Sequence, residues 1–328
     1  MRTTRRLLRR LVWLPLLLSL AVACTPSVTA SLAPTATAPV LYASPVLVPL
    51  QSATPTATAT PTATATPTPT ATATPTATPT PLCSETSGRM ESGTYYSQVL
   101  NREMPYRIYL PPCYGILERT YPVLYLLHGH PYDEYHWERL GIAGVADAGI
   151  RSGAYPPLII VLPNGDPAPE GLYVNSSGGD NSVEGLIVNE LIPHIDATYT
   201  TWAAREGRAI GGISRGGVWS LEIGFRHPDL FAAVGAHSPA LAVNYPHPMY
   251  DPFNLLREPM VGFLRIWLDA GDADWARGGT EQLAQALSAQ GLAYEYVTGE
   301  GSHSDGYWSQ MLPAYLAFYT ARWPRPQP

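Results

Sequence analysis

The sequence contains no lysine, and it has only five phenylalanines and three cysteines among its 328 residues. Acidic residues are absent before Glu85, so all 26 of them lie from that position onward. From Cys83 to the end, 15 arginines accompany those 26 acidic residues, which gives a net charge of about −11. A surface of that charge argues against nucleic acid and anionic membranes as direct partners.

The first 24 residues have the pattern of an export signal. They begin with the basic stretch MRTTRRLLRR and continue with a 13-residue apolar run, LVWLPLLLSLAVA. That run is shorter than the roughly 20 residues that cross a bilayer as a helix. It ends in small residues directly before Cys24, as in the lipobox of a bacterial lipoprotein. We expect a signal peptide over 1–24 with Cys24 as the lipidated residue, an ordinary secretory signal being the alternative.

From 25 to 82 the chain is built almost entirely from threonine, proline and alanine. This segment carries no charge and few large apolar side chains, so it cannot form a core. Frequent proline favours an extended polyproline-like conformation. We expect a disordered linker that holds the following domain, 83–328, away from a membrane or cell wall.

Two cysteines remain once Cys24 is assigned to lipid attachment. They are Cys83 and Cys113, and an exported chain can pair them. We expect a disulfide that ties the start of the domain to its first strands, two unpaired thiols being the alternative.

Short apolar runs alternate with helical patterns throughout the 246 residues from Cys83 to the end. This alternation predicts one α/β domain in which a mostly parallel sheet carries helices on both faces. Ligands of such sheets bind beyond the carboxyl ends of the strands. The predicted strands are PYRIYL, PVLYLL, PLIIVL, RAIGG, LFAAVGAH, FLRIWLDAG and AYEYVTG, and the predicted helices are VEGLIVNELIPHIDATY, 217–226, TEQLAQALSAQ and 307–322.

Ser214 stands in the pattern Gly212-Ile213-Ser214-Arg215-Gly216, between a predicted strand and a predicted helix. In that context G-x-S-x-G is typical of a nucleophile elbow, a strained turn that needs small residues on either side of the serine. The turn presents the hydroxyl at a helix N-terminus, which favours developing negative charge. We therefore expect Ser214 to be a nucleophile.

A serine nucleophile needs a general base and an acid that orients the base. His303 is the expected base, because it lies in the Gly-rich loop TGEGSHSDGYW after the last predicted strand. The acid is expected in LDAGDADW, where Asp269, Asp272 and Asp274 compete. Asp274 is favoured because Gly271 permits a turn that carries it past the strand end, and Asp272 is the runner-up.

An oxyanion hole requires two donors aimed at one point. The backbone N–H of Arg215, directly after the expected nucleophile, is one candidate. The other is the backbone N–H of His130 in LLHGHPYDEYHW, where Gly129 allows a close approach. The order serine, aspartate, histidine along the chain is that of α/β-hydrolases.

Taken together, these segments resemble the esterase D-like (putative esterase) family, which includes feruloyl and acetyl-xylan esterases, enterochelin esterases, S-formylglutathione hydrolases and mycolyltransferases. The segments that carry the resemblance are YPVLYLLHGH, NELIPHID, RAIGGISRGG, AHSPAL, LDAGDAD and GSHSDGYW, within about 100–322. The resemblance implies an α/β-hydrolase fold with Ser214 as nucleophile, His303 as base, Asp274 as acid and His130 as second oxyanion donor. It also implies that no cofactor or metal takes part.

The residue after the nucleophile departs from this family, in which it is commonly apolar, because it is Arg215 here. Its guanidinium would favour an acidic or polyhydroxylated substrate, or it would pair with an acidic neighbour. The aromatic residues expected to line the cleft, with core packing as their alternative, are Tyr132, Trp137, Trp219, Trp275 and Trp308. The segment 173–181 is expected to contribute to a lid or acyl pocket.

Three other interpretations compete with a serine esterase. A metal hydrolase could use His128, His130, Asp133 and His136, but their H-x-H-x-x-D spacing misses the usual H-x-H-x-D-H. An acyltransferase would share the triad and differ only in the acceptor of the acyl group. A non-catalytic binding domain would leave the assembled catalytic pattern unused. We expect an exported serine esterase, anchored only through lipid at Cys24, that acts on small or polysaccharide-linked carboxylic esters.

Overall fold

The computed structural model describes residues 83–165 and 178–325. The expected signal peptide with Cys24 and the segment 25–82 lie outside these residues, as does most of the segment 173–181. Within the described ranges, no helix combines the length and the apolar character that crossing a bilayer requires.

The domain is organised around one eight-stranded sheet. The strands are β1 (Arg89–Ser97), β2 (Arg102–Leu110), β3 (Val123–Leu127), β4 (Ile159–Pro163), β5 (Arg208–Ile213), β6 (Ala233–His237), β7 (Arg265–Gly271) and β8 (Glu295–Gly299). They lie in the order β1-β2-β4-β3-β5-β6-β7-β8. β2 pairs antiparallel with both β1 and β4, and every other neighbouring pair is parallel. The mostly parallel sheet expected from the sequence is confirmed.

Helices cover both faces of this sheet. They are α1 (His136–Arg139), α2 (Ile142–Ser152), α3 (Val183–Gly185), α4 (Ile192–Thr198), α5 (Arg215–Arg226), α6 (Pro252–Leu255), α7 (Arg277–Ala289) and α8 (Asp305–Thr320). A π-helical segment, Leu186–Leu191, joins α3 to α4. The single helix predicted there is therefore continuous, although its central turn is wider than an α-helical turn.

Alternate side chains of the central strands enter two separate hydrophobic cores. Along β3, Tyr125 and Leu127 belong to one core, which α5 and α7 cover, whereas Leu124 and Leu126 belong to the other, which α2 and α8 cover. Because both faces are buried, β3 and β4 are apolar at every position. Because β3, β5, β6 and β7 pair in parallel, their carboxyl ends lie side by side at one edge of the sheet.

The sequence patterns missed β1 and α2. β1 is an edge strand whose side chains are mostly partly or fully exposed, so its apolar alternation is weak. In α2 the buried positions are Ile142, Ala146 and Gly149, so small residues replace the large apolar stripe that marks most surface helices.

Cys83 and Cys113 form a disulfide across a sequence separation of 30 residues. Nearby, the Glu85 carboxylate accepts a hydrogen bond of 2.6 Å from the Cys113 N–H. The disulfide attaches Cys83, the first described residue, to the turn that follows β2. It restricts the unfolded chain more than the folded one.

Two buried carboxylates, Glu184 and Glu222, lie against Gly178. Burial raises the pKa of Glu184, but hydrogen bonds from His227, Arg226 and the Gly179 N–H outweigh it and lower the pKa to about 2. At Glu222 in α5, burial and the neighbouring Glu184 charge raise the pKa to about 9. Glu222 is therefore a neutral acid at pH 7, while Glu184 is ionised.

Replacement of Glu222 by glutamine should stabilise the domain at neutral and alkaline pH. A carboxyl whose pKa rises from 4.5 to about 9 on folding costs stability progressively as the pH increases through that interval. Glu222→Gln removes this cost, so the free energy of unfolding at pH 7 should increase by on the order of 3 kcal/mol. Near pH 4 the variant should gain little.

Urea unfolding of the variant and the wild type between pH 4 and 9 measures this difference. Glu118→Gln, at an exposed glutamate, is the matched control and should show no comparable pH-dependent gain. A stability difference for Glu222→Gln that stays constant across this pH range would contradict the buried neutral carboxyl.

Candidate active site

Ser214 lies in the sharp turn between β5 and α5, at the carboxyl edge of the sheet. Its backbone has φ 56° and ψ −114°, which a residue other than glycine rarely adopts. The turn is fixed because the Ser214 N–H donates to the His237 carbonyl at 2.8 Å and the Ala240 N–H donates to the Ser214 carbonyl at 3.0 Å. A nucleophile elbow has this geometry.

The two glycines of the motif are required by close backbone contacts. A Cβ atom on Gly212 would lie 2.2 Å from the carbonyl oxygen of Gly216. One on Gly216 would lie 2.5 Å from the carbonyl oxygen of Leu127, at the end of β3. A side chain at Gly212 would therefore open the turn itself, and one at Gly216 would push the turn away from β3.

One histidine connects Ser214 to a buried carboxylate. His303 Nε2 lies 2.9 Å from Ser214 Oγ, and His303 Nδ1 lies 2.9 Å from Asp274 Oδ1. Because an ionised carboxylate only accepts hydrogen bonds, Nδ1 carries the proton and Nε2 accepts the serine hydroxyl. These three residues have the geometry and tautomer of a Ser-His-Asp triad.

The surroundings of Asp274 keep it ionised. Burial raises the pKa of its carboxyl, but hydrogen bonds from His303, Ser238 and the Ala276 N–H outweigh that effect and hold the pKa below its usual range. The Ala276 N–H lies 2.7 Å from Oδ1. An anion fixed in this way stabilises positive charge on the imidazole of His303.

The other two aspartates that competed for this position contact different groups. Asp272 is exposed, and its Oδ1 accepts a hydrogen bond of 2.9 Å from the Gly301 N–H. Asp269 lies within β7 with no exposed surface. Its carboxylate accepts hydrogen bonds from four side chains: Trp267, His237, Tyr307 and Tyr315. Of the three aspartates, Asp274 is therefore the one that contacts His303.

The loop after β3 runs directly beside Ser214, since a Cβ on Gly129 would lie 3.3 Å from the Ser214 Cβ. The Gly129 carbonyl accepts hydrogen bonds from the Tyr132 N–H and from His128 Nδ1, each at 2.9 Å. Because a peptide unit is planar and trans, fixing this carbonyl also fixes the His130 N–H, which points the opposite way. The peptide that contains the expected second oxyanion donor is therefore held rigidly.

The first expected donor, the backbone N–H of Arg215, belongs to the first residue of α5. The first four N–H groups of a helix have no acceptor within that helix. The Arg215 side chain donates to Asn244 Oδ1 at 3.1 Å. The guanidinium that departs from the family pattern thus contacts a side-chain amide.

The five aromatic residues expected in the cleft are placed differently. Trp275 is 51% exposed, and its ring centroid lies 4.4 Å from that of His303. Tyr132 is partly exposed and stacks on His136. Trp137, Trp219 and Trp308 are buried in the cores, so the alternative of core packing describes their positions. Trp308 also presents its edge to His303 at a centroid distance of 5.0 Å.

Ser238 was not identified from the sequence as a site residue, although it lies in the segment AHSPAL. Its backbone has φ 48°, and its Oγ accepts a hydrogen bond of 3.0 Å from Trp308 Nε1. It also contributes to the lowered pKa of the Asp274 carboxyl. The only sequence signal was its place directly after β6, at the same edge as Ser214.

The four side chains proposed for a metal site do not converge on one point. His128 accepts from the Gly165 N–H at 2.8 Å, Asp133 pairs with Arg139, and His136 contacts Asp305. Within the described residues, the one group with suitable metal-ligand spacing is Cys83, Glu85 and Cys113. Both of its sulfurs are consumed by the disulfide.

Comparison with known proteins supports this description of the fold. The sequence model of the family described as putative esterase matches residues 97–322. An endo-1,4-β-xylanase/feruloyl esterase of Xylanibacter ruminicola is 29% identical over 222 residues, 66% of this chain and 29% of that protein. An esterase of Mycobacterium tuberculosis is 36% identical over 134 residues, 40% of this chain and 28% of that protein. The chain spans less than a third of the length of each of these relatives.

Among solved structures, a ferulic acid esterase superposes with a TM-score of 0.65 and 26% sequence identity. The superposition covers 72% of this chain and 99% of that one. The family match extends over more than half of the chain and includes the elbow, the histidine loop and all strands from β3 to β8. The chain therefore belongs to the putative esterase family, and it has the α/β-hydrolase fold.

Proposed function

We propose that the domain cleaves esters through an acyl-enzyme formed on Ser214. The observation that carries this proposal is the continuous hydrogen-bond chain from Ser214 Oγ through His303 to Asp274, at a strained turn facing the carboxyl edge of the sheet. Each member supplies a separate function, namely nucleophile, proton carrier and orienting anion.

In the first half of the reaction, Ser214 Oγ attacks the ester carbonyl carbon while His303 Nε2 takes the hydroxyl proton. The carbonyl oxygen becomes an oxyanion, which the backbone N–H groups of His130 and Arg215 stabilise. Collapse of this intermediate breaks the bond to the alcohol, and His303 returns the proton to the departing oxygen. Water then repeats the sequence, losing its proton to His303 and releasing the acid from Ser214.

The substrate class that we propose is an acyl or feruloyl ester linked to a polysaccharide. The names of the Xylanibacter relative and of the solved ferulic acid esterase support it. A second support is the position of Trp275. Since His303 hands its proton to the alcohol, the alcohol half of the ester must lie beside the imidazole, where Trp275 presents a half-exposed ring.

We further propose that the enzyme is exported and attached to a membrane through lipid at Cys24. The basic and apolar segments before Cys24 support export. The Cys83–Cys113 disulfide also supports it, because such bonds persist in oxidising compartments. The segment 25–82 would then separate the catalytic domain from the membrane, within reach of large substrates.

Turnover of a panel of p-nitrophenyl esters and methyl ferulate by residues 83–328 tests the proposed reaction. Activity should survive EDTA and should fall by at least about 10³-fold in Ser214→Ala, because the nucleophile is lost. Turnover that the folded Ser214→Ala variant retains would contradict the proposal. Turnover that appears only when a sugar acceptor is added would identify an acyltransferase instead.

Asp274→Asn should lower kcat by on the order of 10³- to 10⁴-fold with the fold intact, because an amide can stabilise the wrong histidine tautomer. Asp272→Asn is the matched control. Its amide oxygen can still accept from the Gly301 N–H, so kcat should change less than about twofold. Steady-state kinetics on one p-nitrophenyl ester gives kcat for both variants. A large loss of kcat in Asp272→Asn and a small one in Asp274→Asn would assign the acid to Asp272.

Trp275→Ala should raise KM for a feruloylated arabino-oligosaccharide about fivefold, because a sugar loses its aromatic contact. KM for methyl ferulate, whose alcohol is only methanol, should change less than about twofold. Phe263→Ala is the control, since Phe263 is also exposed but precedes the amino end of β7, opposite the active site. Equal effects on both substrates would exclude a contact with the alcohol half.

A further inference from the structure

His136 is a fully buried histidine at the start of α1, and both of its ring nitrogens contact groups near the active site. The Gly129 N–H donates to Nδ1 at 3.4 Å, and Nε2 lies 3.0 Å from Asp305 Oδ1. A backbone N–H can only donate, so Nδ1 must be the acceptor. The ring proton is therefore on Nε2, from which it is donated to Asp305.

The two partners of His136 lie next to residues with proposed functions in the reaction. Gly129 directly precedes His130, whose N–H is the proposed second oxyanion donor. Asp305 lies two residues after His303, at the first position of α8. One imidazole thus connects the loop after β3 to the loop after β8 across 169 residues of sequence.

The ring of His136 is also fixed from its faces and edge. Tyr132 stacks on it with ring centroids 3.8 Å apart and planes 16° apart. Trp308 meets it at a near-right angle at 5.9 Å, and the same tryptophan contacts His303 at 5.0 Å. The imidazole consequently has no freedom to turn over and exchange its two nitrogens.

We propose that His136, as the neutral imidazole protonated at Nε2, is a positioning residue that fixes the oxyanion loop against the loop carrying His303. The Gly129 N–H is held by His136, and the Gly129 carbonyl is held by Tyr132 and His128. Both peptides that flank Gly129 are therefore fixed, and with them the direction of the His130 N–H. The effect on turnover rests on the proposed function.

The charged groups around His136 are compatible with a neutral ring. Asp305 faces Nε2 from α8, and Asp133 and Arg139 lie on its own loop and helix, paired with each other at 2.8 Å. Burial lowers the pKa of His136 below its ordinary value, against the opposing effect of Asp305. A second proton would go to Nδ1 and face the Gly129 N–H, donor against donor, so the loop would have to move.

Two isosteric variants separate the two contacts. His136→Gln keeps an N–H donor near Asp305 and loses the acceptor for the Gly129 N–H. His136→Asn keeps an oxygen near the Nδ1 position and loses the contact with Asp305. We expect His136→Gln to lower kcat on p-nitrophenyl acetate about 10- to 100-fold with little change in KM, because a misdirected oxyanion donor weakens only transition-state binding.

We expect a smaller loss in His136→Asn and none in the control His194→Gln. His194 is partly buried and contacts Tyr106 in β2, a strand that β4 and β3 separate from β5 and Ser214. Thermal unfolding of each variant checks its fold. An unchanged kcat in a folded His136→Gln variant, or a loss that appears in KM alone, would overturn the proposal.

The acid limb of the pH profile gives a readout that a merely structural role would not change. In the wild type, protonation of His136 would displace the oxyanion loop, so log kcat/KM should fall more steeply at low pH than in His136→Asn. The asparagine does not titrate, so the slope in that variant should be smaller by about one. The same slope in both proteins would overturn the requirement for a neutral His136.

Hydrogen exchange at the Gly129 amide tests the contact without any turnover. Protection should be lost in His136→Gln and retained in His136→Asn and His194→Gln. If the wild type cleaves no ester, the proposed function fails by itself, and this exchange comparison still decides whether His136 holds the loop. Equal protection in all four proteins would show that it does not.

Discussion

The turn between β5 and α5 brings backbone into contact with backbone, at distances that no side chain would allow. Gly216 lies against the carbonyl groups at the end of β3, and Gly212 lies against Gly216 itself. This contact fixes Ser214 in a strained conformation and sets the distance from its hydroxyl to the loop that contains Gly129. Strain of this kind persists only where surrounding structure holds it, and here the parallel strands on both sides of β5 do so.

Beneath the site, a buried polar layer supports the same edge of the sheet. Asp269 receives four side-chain hydrogen bonds, one of them from His237, which faces it in the neighbouring strand. A buried carboxylate is costly unless such donors surround it, so the layer is stable only when every member is in place. The carbonyl of His237 also accepts a hydrogen bond from the Ser214 N–H, and the next residue, Ser238, contributes to the lowered pKa of Asp274. Fold stability and site geometry thus depend on the same residues.

The three residues of the proposed triad come from separate loops, and aromatic rings pack around its histidine. Trp308 stands between His136 and His303, while Trp275 covers the outer side of His303. Such rings exclude water from the imidazole and restrict its rotation. In the proposed reaction, the acyl carbonyl of the substrate would face the Gly129 loop and its alcohol would face Trp275.

The sequence alone determined the α/β class, most strands and the identity of Ser214 and His303 as candidates, because periodicity and turn chemistry are local properties. It favoured Asp274 as the acid among three aspartates, and the tertiary structure shows the contact that this choice requires, since Asp274 reaches His303 while Asp269 lies inside a strand. Only the tertiary structure separated the five aromatic candidates into exposed and buried side chains. Burial depends on which helix covers which face of the sheet, and the sequence does not show this. The sequence singled out His136 only as a candidate metal ligand, and no local pattern indicated its contacts with two loops. Its two partners come from different loops, one of them 169 residues away, and only packing of the complete sheet brings them to a single ring.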